Sequence, residues 1–199
     1  MSAPDNPLLA ALLASSWPVH VVMDGAKYPD LPALLAKLNI GPRSLFVEQS
    51  DPAMLRAGPW LATLDQQGCK TLFQIEGIAD AAVFWTGPAE EEQVFRHLRG
   101  LNMVNIPRPA EDWLDPLLLE YDLVLFRHYD PSVLALLWPV LDDEQRARIF
   151  GPMRGIALHD ESTGGAREAK RREGAPDAPP RQHCRDHTRS GSDVKGHTA

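Results

Sequence analysis

Two cysteines in 199 residues, Cys69 and Cys184, are too few for a disulfide framework. Their neighbourhoods are unrelated and Cys184 sits in a polar stretch, so both read as free thiols, suited to a reducing cytoplasm. No apolar run approaches the ~18 residues of a membrane span. Leu8 to Ala14 is apolar but short. No Lys or Arg precedes it, so the basic start of a secretory signal is missing and a short amphipathic helix is expected. Basic residues are in deficit. The net charge is −7, without the basic stripe of a nucleic-acid binder and compatible with a basic protein partner. No Gly-rich phosphate loop follows any expected strand. His183, Cys184 and His187 have ligand-like spacing but lack a fourth ligand and a helical frame, so they do not make a metal site.

What is present is a 44% hydrophobic chain, enough for one sizeable core or two small lobes. Asn6-Pro7 is an N-cap and N1 pair for a helix over 8–15. Val19 to Met23 is a β-branched strand ending at Asp24-Gly25, and Leu31, Leu34, Leu35 and Leu38 follow at helical spacing. Residues 44–49, 60–64, 81–86 and 103–107 read as strands, and 88–101 as a helix with acids first and bases last, which suits its dipole. The stretch 122–129 is apolar on both faces and is expected at the centre of a sheet. Helices follow at 131–138 and 143–150, the second opened by the capping box Asp142 and Gln145. Residues 66–80 stay ambiguous.

One layout occurs twice. Ser44 to Leu55 and Leu125 to Leu134 each run from a strand into Asp-Pro and a helix. Sliding one onto the other aligns Asp51 with Asp130 and Pro52 with Pro131. Asp at N-cap accepts a bond from an orphan N–H of the first turn, and Pro at N1 has no N–H to leave unpaired. Asp51, Asp130 and Asp142 are therefore expected as structural caps. Strands alternating with helices indicate an α/β fold, with a mixed sheet of strand–helix units. The expected division is an N-terminal helix and lead-in at 1–17, an α/β domain at 18–162, and a disordered tail at 163–199 that has too few apolar residues to fold. Residues 1–153 hold 11 basic and 20 acidic side chains, a balance of −9.

Asp24 ends a strand, where α/β enzymes place catalytic acids. A phosphatase-like nucleophile would need a second Asp at position 26, which is Ala26. An alternative reading is a small hydrolase or phosphotransferase using Asp24 with Arg127 and His128, but no Ser or Cys nucleophile is placed to use them. Arg127 in an apolar strand needs an acidic partner, and Glu48, its counterpart in the similar unit, would pair with it if the two strands are neighbours. Five tryptophans suit a core. Trp113, between Asp112 and Asp115, is the ring most open to a partner, with Trp60 and Tyr129 as further candidate partner-binding residues. No cofactor is expected.

Val22-Met23-Asp24-Gly25-Ala26, Asp51-Pro52, Ala57-Gly58-Pro59-Trp60-Leu61, Phe126-Arg127-His128-Tyr129-Asp130-Pro131-Ser132-Val133-Leu134 and Phe150-Gly151-Pro152 occur in that order. As an ordered set over about residues 18–160, they resemble the bacterial type VI secretion adaptor family. That family was first described as a domain of unknown function and is also called Tap or Tec chaperones. The resemblance implies a cytoplasmic, non-catalytic protein that binds a toxic effector and helps load it onto the VgrG spike, with no catalytic residues to carry over. The stretch from Leu64 to Phe84 is shorter than the resemblance leads one to expect, and the chain from Thr163 onward matches nothing in the family.

Overall fold

β1 (Val19–Asp24) is buried along its whole length, and the rest of the domain is built around it. The computed structural model describes residues 6–46, 51–109, 111 and 120–171. β1 lies inside a six-stranded sheet with β2 (Arg43–Ser44), β3 (Pro59–Leu64), β4 (Ala82–Thr86), β7 (Gly155–Asp160) and β8 (Gly165–Lys170), in the order β2-β3-β1-β4-β7-β8. Every ladder is antiparallel. A strand buried on both faces must be covered twice, and side chains alternate across it. Val19, Val21 and Met23 accordingly face one core, with Phe84, Leu64 and helices α1 (Pro7–Leu13), α2 (Leu31–Lys37) and α4 (Gln66–Leu72). Val22 faces the other, with Trp85, Leu61 and helices α5 (Glu91–Leu101), α6 (Pro131–Leu137) and α7 (Asp143–Phe150). The fold is α/β. The two cores share one sheet, which replaces the option of two lobes.

The caps are local and follow their residues. Asn6 accepts from the Leu8 and Leu9 N–H groups. Asp51 opens α3 (Pro52–Ala57), accepting from Ala53, and Asp130 opens α6, accepting from Ser132. Asp142 and Gln145 form a reciprocal capping box on α7. The ambiguous stretch becomes α4, capped by Asp65, and a short 3-10 turn at Ile78–Ala81.

Three expectations need correction. The expected strand at 44–49 is only Arg43–Ser44, and the residues after Phe46 lie outside the described set. The expected central strand at 122–129 is β6 (Tyr121–Leu125). Among the described residues it pairs with β5 (Met103–Pro107) alone, in a separate two-stranded ribbon whose side chains are largely exposed. A strand apolar on both faces looks the same from sequence whether its cover comes from its own chain or not. The expected tail does not begin at Thr163, because Gly165–Lys170 pairs with β7 over six register positions. Its Arg, Glu and Lys content is that of a sheet edge, where charged side chains are normal. Residues 172–199 lie outside the described set.

Candidate functional site

The motif residues converge on one corner of the sheet. Asp24, the last residue of β1, turns the chain into a 3-10 turn at Gly25–Lys27 by accepting from the Ala26 N–H at 3.0 Å. Gly25 donates its N–H to the carbonyl of Gly58 at 3.0 Å. A Cβ on Gly25 would fall 2.1 Å from the Arg56 carbonyl oxygen and 2.7 Å from that of Gly58, so only glycine lets these two turns touch. Trp60 closes the same corner, its indole N–H donating to the Arg56 carbonyl at 3.1 Å.

From the far end of the chain, the loop after β6 brings Arg127 against this corner. Its guanidinium donates to Asp24 Oδ2 at 2.5 Å and lies 3.1 Å from Asp130 Oδ2. Asp130 also accepts from the Ser132 N–H at 3.0 Å and the Ser132 hydroxyl at 2.6 Å. Burial opposes the charge on Arg127, but the Asp24 and Asp130 carboxylates outweigh it and hold its pKa above the ordinary arginine value. Burial would raise Asp130. The hydroxyl of Ser132 and the charges of Lys27 and Arg127 prevail and hold it below the usual carboxylate range. The Arg127 partners are thus Asp24 and Asp130; the expected partner Glu48 lies outside the described residues. That pairing was missed because nothing local to either residue announces it.

His128 is turned the other way, fully inside. Its Nε2 lies 3.1 Å from Asn102 Oδ1, an atom that can only accept, so Nε2 carries the proton. Asn102 in turn donates to the Leu45 carbonyl at 3.1 Å. The rings of Trp85, Phe126 and Tyr129 surround the imidazole with centroids within 6.2 Å. Burial, and then the nearby charge of His97, push the His128 pKa down to about 3. An imidazole with that pKa is a poor base at neutral pH. Both Asp24 oxygens are engaged, one by a backbone N–H and one by Arg127. Cys69 is buried, and burial followed by the Asp65 carboxylate pushes its thiol up to about 11. A cleft of about 750 Å³ opens between α1 and the β7–β8 hairpin, lined by residues such as Trp17, Thr86, Arg154 and Lys170; neither Asp24 nor His128 borders it. Asp24 and Arg127 thus form an ion pair, and the buried His128 stands outside it.

Among the partner-binding candidates, Trp60 is half-buried and holds a turn. Tyr129 is buried, packed on His128 and near Arg127, which makes it a support of the corner and corrects its expected role as a contact ring. Trp113 lies outside the described residues, as do His183, Cys184 and His187. Among the described residues no three His, Cys, Asp or Glu side chains are grouped as metal ligands, and no helix is long and apolar enough to cross a membrane. What residue patterns did not disclose is the open ribbon of β5 and β6.

The model of a domain of unknown function, DUF4123, matches residues 19–148. The chain belongs to the DUF4123 family. That family is associated with type VI secretion effector adaptors. The matched span begins at the first residue of β1 and ends within α7, so it contains the Asp24–Arg127–Asp130 corner and the ribbon but neither α1 nor the β7–β8 hairpin. No curated protein and no solved structure matches the chain.

Proposed function

We propose that this DUF4123 chain is a non-catalytic, cytoplasmic adaptor that binds a toxic effector protein and loads it onto the VgrG spike of a type VI secretion apparatus. The observation that carries the reading is the family match over residues 19–148, which contains the ordered motifs from Val22 to Leu134. The geometry supports it in a specific way. The motif residues are spent on folding: Gly25 and Gly58 on a close backbone approach, Arg127 on joining two carboxylates, His128 on a buried aromatic cluster. A scaffold whose motif residues build a corner, with the surface around it left to other uses, suits a binding protein. Membrane and nucleic-acid partners are not part of this function.

Co-expression with a toxin encoded beside this chain tests it. The expected result is a stable complex, a higher soluble yield of the toxin, and recruitment of the spike protein. A chain that retains neither toxin nor spike would remove the adaptor reading. A folded His128→Gln protein that binds both but no longer supports delivery would point back to chemistry.

A further inference from the structure

The β5–β6 ribbon is stiff along its length and gripped at one end. Five register pairs join its strands, from Met103↔Leu125 at the root to Pro107↔Tyr121 farther out. Beyond them Arg108 ties the strands again. Its backbone N–H donates to the Glu120 carbonyl at 2.9 Å, and its guanidinium reaches Glu120 at 2.7 Å and Asp122 at 2.7 Å. Burial fades outward from the root. Val104 and Val124 are half-buried, whereas Ile106, the next residue on their face, is 46% exposed. Met103, Leu125, Leu123 and Tyr121 on the other face are all exposed. The described body therefore covers the ribbon only where the strands leave it, and the ribbon projects as an arm.

Both strands leave past one residue. Asn102 is the C-cap of α5 and immediately precedes β5. Its backbone carbonyl accepts from the Phe126 N–H at 2.8 Å, one residue beyond the end of β6. Its buried side chain holds two further segments. The amide nitrogen donates to the Leu45 carbonyl at 3.1 Å, and Oδ1 accepts from His128 Nε2 at 3.1 Å. A carbonyl oxygen only accepts, so the amide can take this orientation and not its flip. His128 is fixed in turn by the rings of Trp85, Phe126 and Tyr129. A buried amide stripped of its partners is costly, so these bonds hold as a set. The packing that remains at the root is Val104, Val124 and Phe126, all half-buried. A stiff element joined to a body through a few terminal residues pivots at those residues.

We propose that Asn102 is a latch. Its two side-chain bonds fix the direction of the β5–β6 arm. When they open, the arm swings about residues 102 and 126 as one piece while both cores of the main sheet stay closed. A latched arm presents its apolar side chains in one direction; a swinging arm sweeps them through a range of directions. Asn102 is thus a positioning residue, and His128 acts through it.

Distances between spin labels in the full chain test this. One pair joins Asn105→Cys on the arm to Lys37→Cys on α2; a second joins Lys37→Cys to Glu144→Cys on α7 and reports the body. All three positions are exposed. Cys184→Ser removes one native thiol, and the buried Cys69 stays unlabelled. Asn102→Ala should at least double the width of the arm–body distance distribution and leave the body pair at its parent width. His128→Leu should do the same, and it supplies the reading if Asn102→Ala does not fold. His128→Gln, which still donates to Asn102, should keep the parent width. Amides of the β5–β6 ladder should exchange at parent rates in Asn102→Ala, which separates swinging from melting. An arm pair that stays narrow in Asn102→Ala, or is equally broad in the parent, overturns the proposal. So does broadening of the body pair alongside the arm, or fast exchange of the ladder amides. Loss of cooperative unfolding in both Asn102→Ala and His128→Leu also overturns it, because a latch opens with the cores closed.

Discussion

Arg127 and Asp24 are 103 residues apart in the chain, and their charged groups meet at 2.5 Å. Asp24 is 1% exposed and Arg127 42%, so the pair sits at the surface with its carboxylate inside and its guanidinium partly in water. It ties the end of β1 to the loop that launches α6.

Removing Arg127 leaves the buried Asp24 carboxylate without its guanidinium. Breaking a fully buried pair costs about 3–5 kcal/mol. Water reaches the guanidinium here, so Arg127→Met should cost less, about 2 kcal/mol in urea unfolding. Asp24→Asn should cost a similar amount, and the double variant less than the sum of the two. Strict additivity in that cycle would show that the two residues do not work through each other.

His128 predicts how stability falls in acid. Its pKa in the fold is about 3, set first by burial and then by His97, against 6.5 for the free side chain. Between those values the unfolded chain binds a proton that the folded chain does not. The contribution is therefore complete above pH 6.5 and is lost as pH falls towards 3. Between pH 7 and pH 5 the loss should be about 2 kcal/mol. The burial-lowered His20 acts in the same direction, and Asp130, held low by Ser132, Lys27 and Arg127 against its burial, adds its loss at more acid pH. His128→Gln, which keeps a donor for Asn102, should flatten the profile. Equal slopes from pH 7 to 5 in parent and variant would place the acid sensitivity elsewhere.

Gly25 and Gly41 make opposite predictions. A Cβ at Gly25 meets two backbone oxygens, at 2.1 and 2.7 Å, whereas one at Gly41 meets nothing within 4 Å. Gly25→Ala should separate the turns at residues 25 and 58 and cost about 1–3 kcal/mol as overpacking. Gly41→Ala should be neutral or add up to about 1 kcal/mol by restricting the unfolded chain. Thermal melts of both proteins decide, and a Gly25→Ala protein as stable as its parent would show that the corner can move.

The caps at Asn6, Asp51, Asp130 and Asp142 were legible because a cap depends on residues within one turn of itself. The α/β class was legible because alternation of strand and helix periods is also local. Arg127 was seen to need an acid, but the partner found was Asp24, since a contact across 103 residues leaves no local trace. β6 was placed in the main sheet because its pattern, apolar on both faces, does not distinguish a covered strand from an open one. The Asp-Pro likeness marks a helix start and says nothing about which sheet the preceding strand joins. For the site, Asp24, Arg127 and Asp130 each stood out singly, but neither their meeting nor the open ribbon was legible.

The two Asp-Pro caps differ in burial. Asp51 is exposed and its carboxylate caps Ala53, whereas Asp130 is buried, caps Ser132 and lies against Arg127. Asp51→Ala should cost about 1 kcal/mol, the ordinary value of a cap. Asp130→Ala should cost about 2 kcal/mol, adding loss of a carboxylate from the Arg127 site. An Asp130→Ala cost no larger than about 1 kcal/mol in chemical denaturation, that of a cap by itself, would mean that Arg127 is held by Asp24 alone.

β8 is the element least visible in the amino-acid pattern, and truncation reads its worth. Its six residues pair with β7 from Gly165↔Asp160 to Lys170↔Gly155. Arg167 pairs with the buried Asp160 at 2.5 Å and donates to the Ala135 carbonyl on α6 at 3.0 Å. Arg171, just beyond the strand, donates to the Gly151 carbonyl at 2.7 Å. A chain cut after Ser162 loses all of these, exposes the edge of β7 and leaves Asp160 without its arginine. It should melt at least about 6 °C lower, the equivalent of ~2 kcal/mol at roughly 3 °C each for a domain of this size. A chain cut after Arg171 keeps the whole ladder and should melt with the parent. If the shorter chain instead melts with the parent, β8 is an ornament of the sheet, and the family-matched segment needs no hairpin edge to fold.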